Sequence, residues 1–129
     1  MTLKVDPTPA SRPRVTRWGA YYGKTYERFR KQAEAALGAI KKPKGCPLAC
    51  PLIVTVTFFC RSPKKPTNVW PKGDIDNHQK AILDSLNEWA WKDDVQIMKI
   101  IAEKVYSKEP RIEIEWKEYA TQGIGVRSA

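Results

Sequence analysis

The sequence predicts a mixed α/β (α+β) domain, a mixed β-sheet with two main helices packed on one of its faces. Three observations carry this. A helical period of apolar residues occurs twice, over residues 26–40 and again from residue 76 or 77 to about 89. Between the two lies Leu52-Ile-Val-Thr-Val-Thr-Phe-Phe59, a run of β-branched and aromatic residues suited to a central strand. Residues 111–119 then alternate apolar and polar cleanly, as a half-buried strand does. The order β-α-β-α-β-β calls for helices layered on a sheet. At 129 residues the chain suffices for one domain with a sizeable core, assigned to residues 1–120, with 121–129 a loose tail.

The opening segment, residues 3–17, is rich in Pro and Arg, which predicts an edge strand or an extended arm. Thr25 is a candidate N-cap for the first helix, whose Phe29, Ala33, Ala36, Leu37 and Ile40 recur at helical spacing. A Lys/Pro cluster after Ile40 ends it. After the central strand, residues 61–68 form a basic loop that leads through Trp70, Pro71 and Gly73 to Asp74. In the second helix Ile82, Leu83, Leu86, Trp89 and Ala90 make the apolar stripe. Lys80 lies off that stripe, on the side of Asp76 and Asn87. Residues 95–106 read as a further strand, with helix open for part of it.

The composition narrows the function. Lys and Arg number 23 against 14 Asp and Glu, a formal balance of +9 spread along the chain, which favours a polyanionic partner such as nucleic acid. Three cysteines and one histidine make neither a disulfide framework nor a zinc set. No apolar run resembles a signal peptide or spans a bilayer, so the expectation is a cytoplasmic protein without a membrane partner.

Against that basic background, carboxylates collect around the second helix. In Asp74-Ile75-Asp76, alternate residues of an extended segment face one side, so both carboxylates can meet one cation. Asp94 or Asp93, beyond the helix, can return to the same place. Hard oxygen donors of this kind suit Mg²⁺ or Mn²⁺, and Lys80 is placed to stabilise developing negative charge. Structural readings stand beside these. Asp76 with Gln79 fits a capping box, Asp93-Asp94 a turn, and Lys80 with Asp84 a surface pair at i,i+4. His78 reads as a helix-surface residue and Asp84 as solvated, with support of Lys80 as its alternative. Arg12, Arg14, Arg17, Lys24, Lys64, Lys65 and Lys72 are candidate phosphate contacts, and Trp18 and Trp70 candidate platforms for an unstacked base.

The stretch Asp74-Ile-Asp-Asn-His-Gln-Lys-Ala-Ile-Leu-Asp-Ser-Leu-Asn87, followed by Trp91-Lys-Asp-Asp-Val-Gln96, resembles the signature of the RusA-type Holliday-junction resolvases, small endonucleases often encoded by phages. The resemblance implies a bacterial host, a homodimer bound to four-way DNA junctions, and two symmetric nicks made with Mg²⁺ or Mn²⁺. By position it assigns Asp74, Asp76 and Asp94 as the essential acids, Lys80 as the catalytic lysine and Asp93 as an auxiliary. The basic run before the motif is diluted here to Lys64, Lys65 and Lys72, which bears on junction selectivity. Two other readings compete: a nuclease for other branched or single-stranded DNA, and a non-catalytic binder of branched DNA.

Overall fold

A computed structural model describes residues 1–11, 14–21 and 23–121. Arg12, Tyr22 and the expected tail beyond Thr121 lie outside the described residues, and of Arg14 the backbone alone is described. Four strands form the sheet: β1 (Thr2–Leu3), β4 (Leu52–Arg61), β5 (Ile97–Ser107) and β6 (Arg111–Glu118). Their spatial order is β1-β6-β4-β5, with β4 parallel to β5 and antiparallel to β6. A separate hairpin joins β2 (Arg14–Thr16) to β3 (Gly19–Tyr21). Two helices, α1 (Lys24–Gly38) and α2 (Ile75–Leu86), complete the domain, with α2 as the crossover between the parallel strands. The mixed sheet and helix pair agree with the expected class.

Alternation in β4 decides where the core sits. Leu52, Val54, Val56, Phe58 and Cys60 are buried while the residues between them are not, so one face of the strand is covered. Ile112 and Ile114 of β6 and Leu3 of β1 extend that face. Tyr26, Phe29, Ala33 and Leu37 of α1, with Ala81, Ile82 and Leu86 of α2, fill it from the helical side.

The expected edge strand is present at the start of the Pro/Arg segment, as Thr2–Leu3, and the segment also supplies β2 of the β2-β3 hairpin. Three expectations are corrected. The N-cap of α1 is Gly23, so Thr25 lies inside the helix. The strand expected from residue 95 opens instead as a 3-10 turn, Asp94–Gln96. Helix α2 stops at Leu86, before Trp89, because the chain turns to bury Trp91. Glu88 takes a left-handed φ of 68°, Ala90 N–H donates to Leu86 O at 2.9 Å, and Trp91 Nε1 donates to Asn87 Oδ1 at 2.9 Å. Trp91 is fully buried and meets Trp116 edge-on at 5.7 Å.

Candidate active site and nucleic-acid groove

Asp74 is the N-cap residue of α2, yet its side chain makes no capping hydrogen bond. An Asp in that position ordinarily gains about 1 kcal/mol by accepting from the first turn. Asp76, placed by the capping-box reading at the helix start, lies instead in the first turn, and its Oδ1 accepts from Asn77 N–H at 3.0 Å. Both residues are exposed at the positive end of the helix dipole, where negative charge is favoured.

The segment leading into Asp74 is held by side chains from distant elements. Tyr106 hydroxyl donates to Trp70 O at 2.9 Å, and Lys104 Nζ donates to Pro71 O at 2.8 Å and to Gly73 O. His78 Nε2 donates to Lys72 O at 3.2 Å. Four consecutive carbonyls are thus pinned, three of them from β5. Gly73 has a φ of +95°, and a Cβ there would lie 2.9 Å from Pro9 Cγ and 3.1 Å from His78 Nε2. Only glycine fits that approach.

His78 is corrected from a surface residue to a core one: it is 1% exposed and its ring lies 5.2 Å from Phe58. It sits four residues before Ile82, which is how it joins the buried face. Desolvation lowers its pKa, the hydrogen bond to Lys72 O opposes the shift, and the charge of Lys104 adds to it. The neutral ring therefore carries its proton on Nε2, and Nδ1 is buried without a partner.

The second acidic arm is built differently. Asp93 caps the 3-10 turn: its Oδ1 accepts from Val95 N–H at 3.1 Å, and its own N–H donates to Gln96 Oε1 at 2.8 Å. The turn reading of Asp93-Asp94 is therefore what the structure has. Gln96 Nε2 donates to Leu48 O at 3.0 Å and Cys50 O at 2.9 Å, tying this turn to the approach of β4. Asp94 is half-buried. Desolvation raises its pKa first, and a hydrogen bond and charge from Asp93 and the charge of Asp84 raise it further, opposed by Lys80.

Asp84 is not solvated as expected. Its Oδ2 accepts from the buried Tyr26 hydroxyl at 3.2 Å and pairs with Lys80 Nζ at 3.3 Å, while Arg30 Nη1 donates to Tyr26 at 3.4 Å. The i,i+4 pair is present, and the Lys80 ammonium also lies near enough to Asp94 to oppose the rise in its pKa.

The structure thus gathers Asp94, Asp93, Asp84 and Lys80 at one end of α2, and Asp74 with Asp76 at the other. Eight residues of helix between Asp76 and Asp84 span about 12 Å. Among the described residues no three His, Cys, Asp or Glu side chains are close enough to share a metal ion. The donor chemistry still fits Mg²⁺, because that ion keeps several waters and is usually bound by one or two carboxylates plus substrate phosphates.

The candidate cations are dispersed around this axis. Lys24, Lys64, Lys65 and Lys72 are exposed, and Arg17 stacks at 4.9 Å on Trp18, which is 84% exposed at the hairpin tip. Lys64, Lys65 and Lys72 border the loop before Asp74. A groove of about 990 Å³ runs there, lined by Trp70, Tyr106, Lys65, Lys72 and Asp74 among others. Lys104, Gln96 and Tyr26 are the participants that sequence reasoning missed. Each acts across at least 31 residues, at 31, 46 and 58 respectively, and no local pattern marks them. No helix among the described residues is long and apolar enough to cross a membrane.

Comparison with known proteins adds two findings. Residues 4–117 match the family described as Endodeoxyribonuclease RusA. A stretch of 47 residues is 43% identical to the uncharacterized protein YqaN of Bacillus subtilis (strain 168). That match covers 36% of this chain and only 33% of the relative, about a third of its length.

Proposed function

The chain belongs to the RusA endodeoxyribonuclease family, and from that premise we propose that it is a metal-dependent endonuclease that resolves four-way DNA junctions by paired, symmetric nicks. The observation that carries the reading is Asp74: a carboxylate at a helix N-terminus, making no cap bond, on a loop whose four preceding carbonyls are all anchored. A bound Mg²⁺ or Mn²⁺ would supply Lewis acidity toward a phosphate oxygen and make a nearby water more acidic. Asp74 and Asp76 would hold it, with Asp94 and Asp93 as the acids of the second arm.

Lys80 belongs to the Asp94 arm, paired with Asp84. Its ammonium stabilises negative charge that develops on the phosphate, or orients the attacking water. Asp84, itself held by the Tyr26 hydroxyl, pairs with the lysine ammonium at 3.3 Å and helps to orient it. The first turn of α2 offers its N–H groups and dipole to a phosphate. A +9 chain with few acids at the site can grip the flanking duplex arms through its lysines and arginines.

Two nicks across a junction of near two-fold symmetry call for two sites, which a C₂ homodimer provides. Strand β5, eleven residues long, lies at the sheet edge and offers a second copy an open row of backbone groups. This activity assigns the protein to DNA recombination and repair in the bacterial cytoplasm.

The test is a labelled four-way junction incubated with the protein in Mg²⁺, in Mn²⁺ and in EDTA, with both nicks mapped. Paired nicks that vanish in EDTA, and in Asp74→Asn with binding retained, are the expected result. Binding without cutting at every metal leaves only a branched-DNA binder. A second reading, a nuclease for other branched or single-stranded DNA, is favoured by the aromatic and basic groove beside Asp74. Forks, flaps and single strands in the same assay separate the two.

A further inference from the structure

We infer that the groove between the loop before Asp74 and β5 is a subsite for one unstacked nucleotide, its base on Trp70 and its phosphate between Lys65 and Lys72. The inference deepens the nuclease reading, on which it rests only for the position of the cut. At about 990 Å³ the groove sits at the upper end of small-ligand sites and has room for a nucleotide.

Its chemistry is divided as a nucleotide's is. Trp70 is 58% exposed and lines the groove, so its indole is accessible to a ligand there. Lys65 and Lys72 line the same space, are exposed, and have no carboxylate partner among the described residues. Arg61, by contrast, is already paired with Asp6 at 3.2 Å and is not counted. Aromatic rings that stack a base, flanked by cations that meet the backbone, make up the usual single-strand platform.

The platform is also built in advance. The Trp70 carbonyl is held by the Tyr106 hydroxyl, and the next three carbonyls by Lys104 and His78. A wall fixed in this way loses little freedom when a ligand arrives. Asp74 lines the same groove, so a nucleotide held there would lie beside the acidic motif.

The experiment compares, in EDTA, the binding of three probes by tryptophan fluorescence and anisotropy. They are a short oligothymidylate of roughly six residues, the same oligomer with abasic sugars throughout, and a blunt duplex. The expected result is that the abasic oligomer binds roughly 5- to 150-fold more weakly than the oligothymidylate. Trp70→Ala should erase that difference, Trp70→Phe should keep part of it, and duplex binding should be unchanged in both. Equal affinity for the abasic and normal oligomers overturns the proposal, leaving a phosphate patch only. So does an equal loss on single strand and duplex in Trp70→Ala, which would make Trp70 a general contact. Because nothing is cut in EDTA, a protein that fails to cleave junctions can still pass this test, and one that cleaves them can fail it.

Discussion

Replacing Lys104 with Met tests whether the anchored loop positions the first aspartate. The side chain keeps most of its apolar stem and loses the ammonium that donates to Pro71 O at 2.8 Å and to Gly73 O. Hydrogen bonds from a charged donor contribute roughly 1.5–3 kcal/mol each, so two set a ceiling of about 6 kcal/mol. Both carbonyls lie in the wall of a groove open to water, and rehydration would offset about half, leaving a loss of about 2–3 kcal/mol. For a domain of this size that lowers Tm by roughly 6–15 °C. Freed of two anchors, the loop should let Asp74 drift, and a displacement near 1 Å costs on the order of 100-fold in turnover. A third readout is independent of cutting. Lys104 depresses the pKa of His78, so the single histidine of Lys104→Met should titrate at higher pH by NMR. An unchanged Tm and His78 titration would refute the clamp. A lowered Tm with full cutting would refute its link to Asp74.

Asp94→Asn should abolish cutting and leave the metal-free protein slightly more stable at neutral pH, by up to about 0.5 kcal/mol for a group still partly open to solvent, as thermal melts in EDTA will check. The raised pKa of Asp94 means that the ionised form is disfavoured in the folded state, so its cost appears as pH rises above the unfolded value of about 3.9 and through the raised one. His78 works in the opposite direction. With its folded pKa depressed, stability is fully present above the unfolded value of about 6.5 and declines as pH falls below it; in His78→Phe that part of the Tm–pH slope should disappear. Gly73→Ala combines a left-handed φ with a 2.9 Å contact to Pro9 and should cost about 2–4 kcal/mol by chemical denaturation. Asp84→Asn should release Lys80 and slow single-turnover cutting by roughly 10-fold with KM little changed, whereas a purely structural role would lower Tm and leave the rate.

The fold was legible where local period decides structure. Residues 111–118 alternate because one side of β6 faces the core, and residues 53–57 are all β-branched, as suits a strand flanked on both edges. Both helices announced themselves through stripes that the core then buried. What was hidden depended on distance along the chain. Helix α2 ends early to seat Trp91 under Trp116, twenty-five residues later, and nothing in 76–89 signals it. His78 was misread because its polarity suggested the surface, although its spacing to Ile82 and Leu86 put it on the apolar face. Asp84 was misread because Tyr26, which draws it inward, comes from the other helix. The acidic motif itself was plain to read. Its supports, Lys104, Tyr106 and Gln96, were not.

Those supports change how the acids are to be understood. Asp74 sits where a carboxylate would ordinarily stabilise the helix and makes no such bond. Asp94 is partly desolvated and set beside Asp93 and Asp84, so that its own ionisation is disfavoured. A chain selected for stability alone would relieve both, the first by rotating one side chain and the second by a single Asn. Meanwhile the loops carrying them are tied down by bonds that reach 31 residues or more from Lys104 and 46 or more from Gln96. A carboxylate that forgoes its cap bond and another whose ionisation is disfavoured, each on firm scaffolding, are what groups held ready for an absent ligand would look like. A phosphate brought to the Asp94 end of α2 would also meet Lys80, which pairs there with Asp84.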